Sequence, residues 1–442
     1  MPIDNNIYRK LVNFLFSANL LFIAGSWYVN LRWAGYPGNS RFLIEVGNLF
    51  ALFAGFFILI QLLLLSRSIY LENIFGIQRL SRLHKLYGYL ILACILFHVV
   101  LTTIGYELYK DNSFFGQIYN FMTSSWYLLA AFIGVFLLIC LGLTTAQSLR
   151  SRLKYEAWYY THLLSYIAVA LIFWHEILIG SDILLNKPLL YYWLSINLIT
   201  LVIIFHRLIR PFLLYSKHQF RVERVAKETW DTYSVYIKGK SLDTFTYKAG
   251  QFVNCRFLTK SIWAQEHPFS LSDIPNGSYV RITVKSVGDY TQKVRNIKPG
   301  TKVLLDNPRG HFTEDRLKNH KPVLIAGGSG ITAVYPVLCA MAKTHKKVVL
   351  LYACKTPRDV VYKNEIERLK KNFKVEVHLF FNDVKRGSST IDEFTLKKIL
   401  SRSKITPDFF ICGPKKMMAH ICEILKRYNV DPSLIHTEEF KW

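Results

Sequence analysis

Acidic residues are scarce in this chain. Thirty Asp and Glu stand against 55 Lys and Arg, giving a formal net charge of +25. Such an excess can mark a nucleic-acid binder, but no basic stretch carries the interleaved aromatic residues of a nucleic-acid module, and that class is set aside. Cysteine is sparse as well: seven in 442 residues, at 94, 140, 255, 339, 354, 412 and 422, with no Cys-x-x-Cys pair. That scatter excludes a disulfide framework and a zinc site, and it places the second half of the chain in a reducing compartment. No calcium-binding loop, no ligand segment for an SH3 domain and no long insertion occurs, so no regulatory protein partner is expected.

Charge is nearly missing from six long blocks, near 11–30, 45–66, 84–104, 126–147, 158–180 and 190–210. A hydrocarbon core of about 30 Å needs roughly 20 apolar residues, so each block is read as a transmembrane span and the lipid bilayer as the partner of this half. The first block has no small-residue cleavage site and five more follow, so it is read as a span and not as a removed signal. Arg9, Lys10, Arg67, Arg79, Arg82, Lys85, Arg150, Arg152, Lys154, Arg207, Arg210 and Lys217 gather at one set of span ends. Only Arg32, Arg41, Lys110 and Lys187 lie at the other set. The positive-inside rule then puts the N-terminus and everything after 217 in the cytoplasm of a plasma (cell inner) membrane protein.

Imidazoles interrupt two of the spans. The third carries His84 and His98, the fifth His162 and His175. These spans run in the same direction, so His84 comes level with His162 and His98 with His175, the levels about 20 Å apart at the helical rise. Two planar iron cofactors, each gripped by one imidazole from either helix, suit this ladder. Bis-histidine ligation leaves no open position and favours electron transfer over oxygen binding at the metal. The plainer alternative is lone polar residues facing a bundle interior; two matched pairs on parallel spans argue against it. One detail fits poorly. Fourteen residues return the chain to nearly the same helix face, but the thirteen from His162 to His175 do not. The fifth span is therefore expected to be kinked or irregular there, or one ligand is misassigned, with His206 as the reserve.

After Lys217 the pattern is that of a soluble protein. QFRVERV, TYSVYIKG, GQFVNCRFL and YVRITVKSV alternate between turns, as in a small antiparallel barrel. From Lys321 strands and helices take turns: PVLIA, a helix after GGSGIT, KKVVLLYA, YKNEIERLKK, KVEVHLFF and DFFICGPKKMMAHICEIL. That is an α/β domain with a mostly parallel sheet. GGSGIT (327–332) sits between a strand and a helix, where glycines let backbone amides approach a pyrophosphate; an ordinary tight turn reads the same way in isolation. The expected domains are 1–217, a six-span bundle; 218–317, a β-barrel; and 318–442, the α/β domain.

YKAGQF (247–252), HPFSLSD (267–273), VGDYT (287–291), GGSGIT, CGP (412–414) and EEF (438–440) follow one another in this order, after the four histidines. On these motifs the chain resembles the ferric reductase and NADPH oxidase family, in which a six-helix, two-haem membrane domain is fused to a ferredoxin-reductase-like FAD and NADPH module. The resemblance implies two b-type haems held by His84 with His162 and by His98 with His175. It implies that His267, Pro268, Phe269, Ser270, Leu271 and Ser272 lie along FAD, with the Ser270 hydroxyl on the flavin ring. Lys285 would meet the flavin diphosphate, followed by Gly288 and Thr291. Gly327, Gly328, Ser329, Gly330, Ile331 and Thr332 would form the NADPH pyrophosphate loop, and Cys412, Gly413 and Pro414 would line the nicotinamide position. Phe440 matches the aromatic residue that covers the flavin, although Lys441 and Trp442 follow it here and Trp442 competes for the role. Lys355 and Arg358, with Arg386 further on, are the cations for a 2′-phosphate. No acidic residue ends the second strand of the α/β domain, which favours NADPH over NADH.

The implied activity is electron transfer from NADPH through FAD and the haems to an acceptor on the outer side. Two acceptors share this wiring: O2, giving superoxide, and a ferric chelate. Thr102 and Asn48 stand where the animal oxidases are expected to carry histidine and arginine near the outer haem, which weakens a dedicated oxygen pocket. The outer loops contain no cluster of His, Cys or carboxylate for a metal. A receptor or transporter with an attached regulatory domain is the alternative from another class, but neither an inverted repeat nor a broken midplane helix supports it.

Overall fold

The computed structural model describes residues 5–33, 38–64, 66, 68–110, 113–145, 149, 152–153, 155–319, 321–344, 347–382, 391–401 and 405–439. It divides into two compact units, Met1–Leu208 and Ile209–Trp442. The first unit is helical: α1 (Asn5–Trp33), α2 (Asn39–Leu64), the short α3 (Ile69–Phe75), α4 (Ile77–Lys110), α5 (Phe114–Ser124), α6 (Trp126–Thr145), α7 (Tyr155–Ile179), α8 (Ser181–Leu185) and α9 (Lys187–His218), whose last turns lie in the second unit. Helices α1, α2, α4, α6, α7 and α9 are long and apolar enough to cross a membrane, where the hydropathy blocks predict spans. The chain is thus a multi-pass membrane protein.

Lipid tails are as apolar as leucine, so helices in a bilayer associate through close packing and not through burial from water. Small residues supply that closeness. A Cβ on Gly105 of α4 would lie 2.7 Å from the Ser40 carbonyl oxygen of α2, and one on Gly134 of α6 would lie 2.8 Å from the Ala168 carbonyl oxygen of α7. The α2–α4 and α6–α7 pairs accordingly pack along their lengths.

In the second unit six strands form two antiparallel sheets. The first, in order β1-β2-β5, uses β1 (Arg221–Lys227), β2 (Thr232–Lys238) and β5 (Val280–Lys285); the second, β4-β3-β6, uses β3 (Phe252–Phe257), β4 (His267–Ser270) and β6 (Val303–Leu305). Bridges Arg221↔Lys302 and Leu271↔Ile282 join the sheets at both edges and close them into a barrel. Closure removes the unpaired edges that an open sheet would expose. Val222, Val235, Val253, Phe257 and Ile282 fill the interior.

The rest is a five-stranded parallel sheet, β7 (Pro322–Gly327), β8 (Val348–Cys354), β9 (Val375–Phe381), β10 (Asp408–Cys412) and β11 (Ile435–Glu438), in the order β11-β10-β7-β8-β9. The helices of this unit are α10 (Asp289–Val294) in the barrel region, then α11 (Ile331–Thr344), α12 (Lys363–Asn372), α13 (Glu393–Ser401) and α14 (Lys415–Arg427). Strand β7 is buried at every residue, as expected for a central parallel strand covered on both faces.

Barrel and α/β lobe meet closely at Gly250. Its φ is +87°, and an added Cβ would lie 1.9 Å from the Phe312 carbonyl oxygen and 2.6 Å from Cγ2 of Val337 on α11. Both the dihedral and the space demand glycine. Gly250→Ala is expected to cost about 2 kcal/mol or more, lowering the melting temperature of the purified protein by roughly 5 °C, as followed by circular dichroism.

Candidate functional site

The four histidines of the spans meet as two pairs across α4 and α7. The ring centroids of His84 and His162 are 6.2 Å apart, with planes inclined at 61°. Those of His98 and His175 are 6.4 Å apart and nearly parallel, at 25°. Helix α7 is α-helical from Tyr155 to Ile179, so no break in the helix separates His162 from His175. Counting residues fixes where each Cα points, but a side chain several ångströms long can swing its ring toward a partner. His206 is exposed on α9 and is not a member of either pair.

The spacing of both pairs suits a metal-bound planar group. First-row metals bind imidazole nitrogen at about 2 Å, so two axial imidazoles place their centroids about 6 Å apart, close to both observed separations. Nδ1 of His98 donates to the Gly47 carbonyl at 3.0 Å, and Nδ1 of His175 to the Ile172 carbonyl at 2.5 Å. A backbone carbonyl on one ring nitrogen is the usual partner of a metal-ligating histidine, because it fixes the tautomer and leaves Nε2 as the donor. The other pair differs. Nδ1 of His84 and of His162 are buried without a hydrogen-bond partner, and Nε2 of His84 contacts the Gln61 amide at 3.2 Å. Unlike α2–α4 or α6–α7, the α4 and α7 backbones are not closely packed, so the space between them is spanned by rings. The residues fit two haems.

A cavity of about 740 Å³ opens at the His98–His175 level. Asn48 and Thr102 line it, but the Thr102 hydroxyl donates back to the His98 carbonyl at 2.6 Å. Glu45, Glu176 and Asp182 line it too, together with Arg41 and Lys110. Glu45 and Glu176 lie in spans and not in the outer loops, and so were not among the expected site residues. A charged residue inside a span was the available signal.

In the second unit the flavin-type motif becomes β4 and the turn after it. His267 to Ser270 pairs with β3, Phe252 opposite Ser270 and Cys255 opposite His267. Pro268 is exposed; Phe269, Ser270, Leu271 and Ser272 are buried, and the His267 ring lies 4.0 Å from that of Tyr290. Lys285 is at the end of β5, its Nζ 3.3 Å from Asp231. The Thr291 hydroxyl caps α10, accepting from the Gly288 amide at 2.9 Å and the Val287 amide at 3.0 Å.

Strands β7 and β10 are neighbours in space though far apart in the chain, and between them the strand order reverses. Ligands of open α/β sheets bind at the carboxyl ends of strands at such a point. The two glycine motifs lie there face to face. A Cβ on Gly330 would fall 2.1 Å from the Cys412 carbonyl oxygen, and Cα of Gly327 lies 3.0 Å from the Cβ position of Gly413. Gly328 takes φ +52°, and the Thr332 hydroxyl donates to the Ser329 carbonyl at 2.9 Å. Ile331 and Thr332 are buried at the start of α11, Ser329 is half-buried and Pro414 exposed. Burial, and then the Glu438 carboxylate, push the Cys412 thiol well above its ordinary range, so it is a neutral thiol.

Lys355 and Arg358 are exposed just past β8. Asp359 beside them accepts from the Trp230 indole at 2.8 Å and from the Thr356 hydroxyl at 2.8 Å. Burial opposes its charge, but these hydrogen bonds hold its carboxyl below the usual range. Phe440, Trp442 and Arg386 lie outside the described residues.

Comparison with known proteins gives three matched regions. Residues 50–173 match the ferric reductase like transmembrane component, 217–327 an FAD-binding domain and 324–423 an oxidoreductase NAD-binding domain. Flavohemoprotein A of Dictyostelium discoideum is 32% identical over 224 residues, covering 46% of this chain and 55% of that protein. The flavohemoprotein of Bacillus subtilis is 24% identical over 244 residues, covering 52% and 59%. The chain thus spans a little over half the length of these two relatives. The flavohem-like FAD/NAD-binding domain of nitric oxide dioxygenase from Vibrio cholerae is a similar solved structure, 24% identical over 50% of this chain and 97% of that one, with a TM-score of 0.44. A ferric-reductase-like transmembrane component followed by FAD- and NAD-binding domains is the architecture of the NADPH oxidase and ferric reductase family, and the chain matches that architecture with the domains of an oxidoreductase.

Proposed function

We propose that the chain carries electrons across a plasma membrane, from cytoplasmic NADPH to an acceptor on the outer side, with O2 as that acceptor and superoxide as product. The observation that carries this reading is the stack of two imidazole pairs on α4 and α7, the second of which opens on a cavity. His84 with His162 and His98 with His175 would hold the haems, and the 267–272 segment with Lys285 would hold FAD. When bound, FAD would link a two-electron hydride donor to one-electron carriers, and the bis-histidine haems would serve as those carriers.

The chain's own residues do the rest. The glycine loops at the β7/β10 switch point admit a nucleotide backbone, with the first amides of α11 favouring its phosphates. With Asp359 engaged by Trp230 and Thr356, the exposed charges of that turn are Lys355 and Arg358, which suit a 2′-phosphate. One observation favours a second acceptor: the carboxyl groups of Glu45, Glu176 and Asp182 line the cavity, a polar lining that would admit a ferric chelate.

Three outcomes are expected. NADPH-driven cytochrome c reduction by the FAD-supplemented protein is abolished by superoxide dismutase; a signal that survives dismutase moves the assignment to the ferric chelate. His98→Ala and His175→Ala each lower the pyridine-haemochrome signal from about two haems per chain to about one, while His206→Ala leaves it unchanged. Arg358→Glu raises KM for NADPH about tenfold, roughly 1.4 kcal/mol, and leaves KM for NADH nearly unchanged in steady-state assays.

A further inference from the structure

One side chain holds the two lobes of the second unit together from inside. Arg281 on β5 is 1% exposed. Its Nε and Nη2 donate to the Ser272 carbonyl at 3.3 and 2.8 Å. Its Nη1 and Nη2 donate to the two carboxylate oxygens of Glu365 at 2.8 and 3.1 Å. Asp273 lies 3.7 Å from Nε. The guanidinium also sits 4.6 Å from the Tyr362 ring and 5.4 Å from the Tyr335 ring.

These partners come from both lobes. Ser272 and Asp273 end the HPFSLSD segment of the barrel, whereas Glu365, Tyr362 and Tyr335 belong to the α/β lobe. A neighbouring bond crosses the same boundary, from the Tyr362 hydroxyl to Thr283 on β5 at 2.6 Å. Burial disfavours the guanidinium charge, but Tyr362, Glu365 and Asp273 together hold its pKa above the ordinary value. A fork of two parallel bonds fixes orientation as well as distance, which a lysine at this position would not do. Separating the lobes here would break both bonds of the fork to Glu365 at once, so the contact resists opening.

We propose that the Arg281–Glu365 pair is a latch that sets the placement of the flavin-binding segment relative to the nicotinamide-binding switch point, with Arg281 acting as a positioning residue. The proposal rests on the reading above, in which FAD lies along 267–272 and NADPH binds at β7 and β10. It assigns to Arg281 and Glu365 a role in aligning donor and acceptor, separate from binding either one.

Glu365→Gln and Glu365→Ala test it in the full-length, FAD-loaded protein under anaerobic conditions. The measurements are FAD stoichiometry, NADP⁺ affinity, the long-wavelength nicotinamide–flavin charge-transfer absorbance on mixing with NADPH, and amide hydrogen exchange over 268–273. In Glu365→Ala the charge-transfer band is expected to fall about tenfold and exchange over 268–273 to quicken, with FAD content and NADP⁺ affinity nearly unchanged. Glu365→Gln, which keeps a hydrogen-bonding oxygen but not the charge, falls between. An unchanged band in Glu365→Ala overturns the latch. So does a band that disappears only in step with lost FAD in both variants, since the pair would then serve folding alone. Failure of the functional reading appears in the unmutated protein, as no bleaching of the flavin by NADPH. In that event unaltered exchange over 268–273 in Glu365→Ala still counts against the latch.

Discussion

An imidazole in an apolar bundle is a polar group far from water, and each of its nitrogens needs somewhere to turn. The transmembrane unit is arranged around four such groups. His98 and His175 spend one nitrogen each on a backbone carbonyl. His84 and His162 keep a buried nitrogen with no partner among the described residues. The rings meet between α4 and α7 at separations near those of two ligands sharing one metal. Glycine lets α2 close on α4 and α6 on α7.

The second unit answers a different demand. Its two lobes must keep a flavin-binding edge and a nucleotide-binding edge in register, and the chain does this with backbone contact and one buried cation. At the switch point the GGSG and CGP loops approach so closely that side chains on Gly330 or Gly413 would collide with backbone or with Met417. The glycines therefore serve the packing of two loops as well as the approach of a phosphate. A short distance away, Arg281 ties the carbonyl at the end of the flavin motif to a carboxylate of the other lobe. The Thr291 hydroxyl, which the family resemblance associates with flavin, is spent capping α10.

Much of this was legible in the residues. Uninterrupted hydropathy marks the spans, because a helix must be apolar all round to face lipid. Period-two alternation marks the barrel strands, and an apolar run before GGSG marks β7. The pairing of His84 with His162 and of His98 with His175 followed from span direction alone. Helix α7 runs without a break past both histidines, because the 3.6-residue period locates Cα atoms and says little about where a long side chain ends.

What the amino-acid sequence determined by itself was thus local and periodic: which segments are helices, strands or tight turns, and which residue types each carries. Tertiary structure alone decided which of them meet. Glu45, Glu176 and Asp182 come from different elements and line one cavity, and no spacing rule connects them. Gly330 meets Cys412 because β10 inserts beside β7, a choice of strand order that alternation cannot encode. Arg281 reads as one more charged residue in an alternating strand. Only the closing of the α/β lobe over β5 buries it and supplies Glu365, because the free energy of a buried charge depends on neighbours the chain brings from far away.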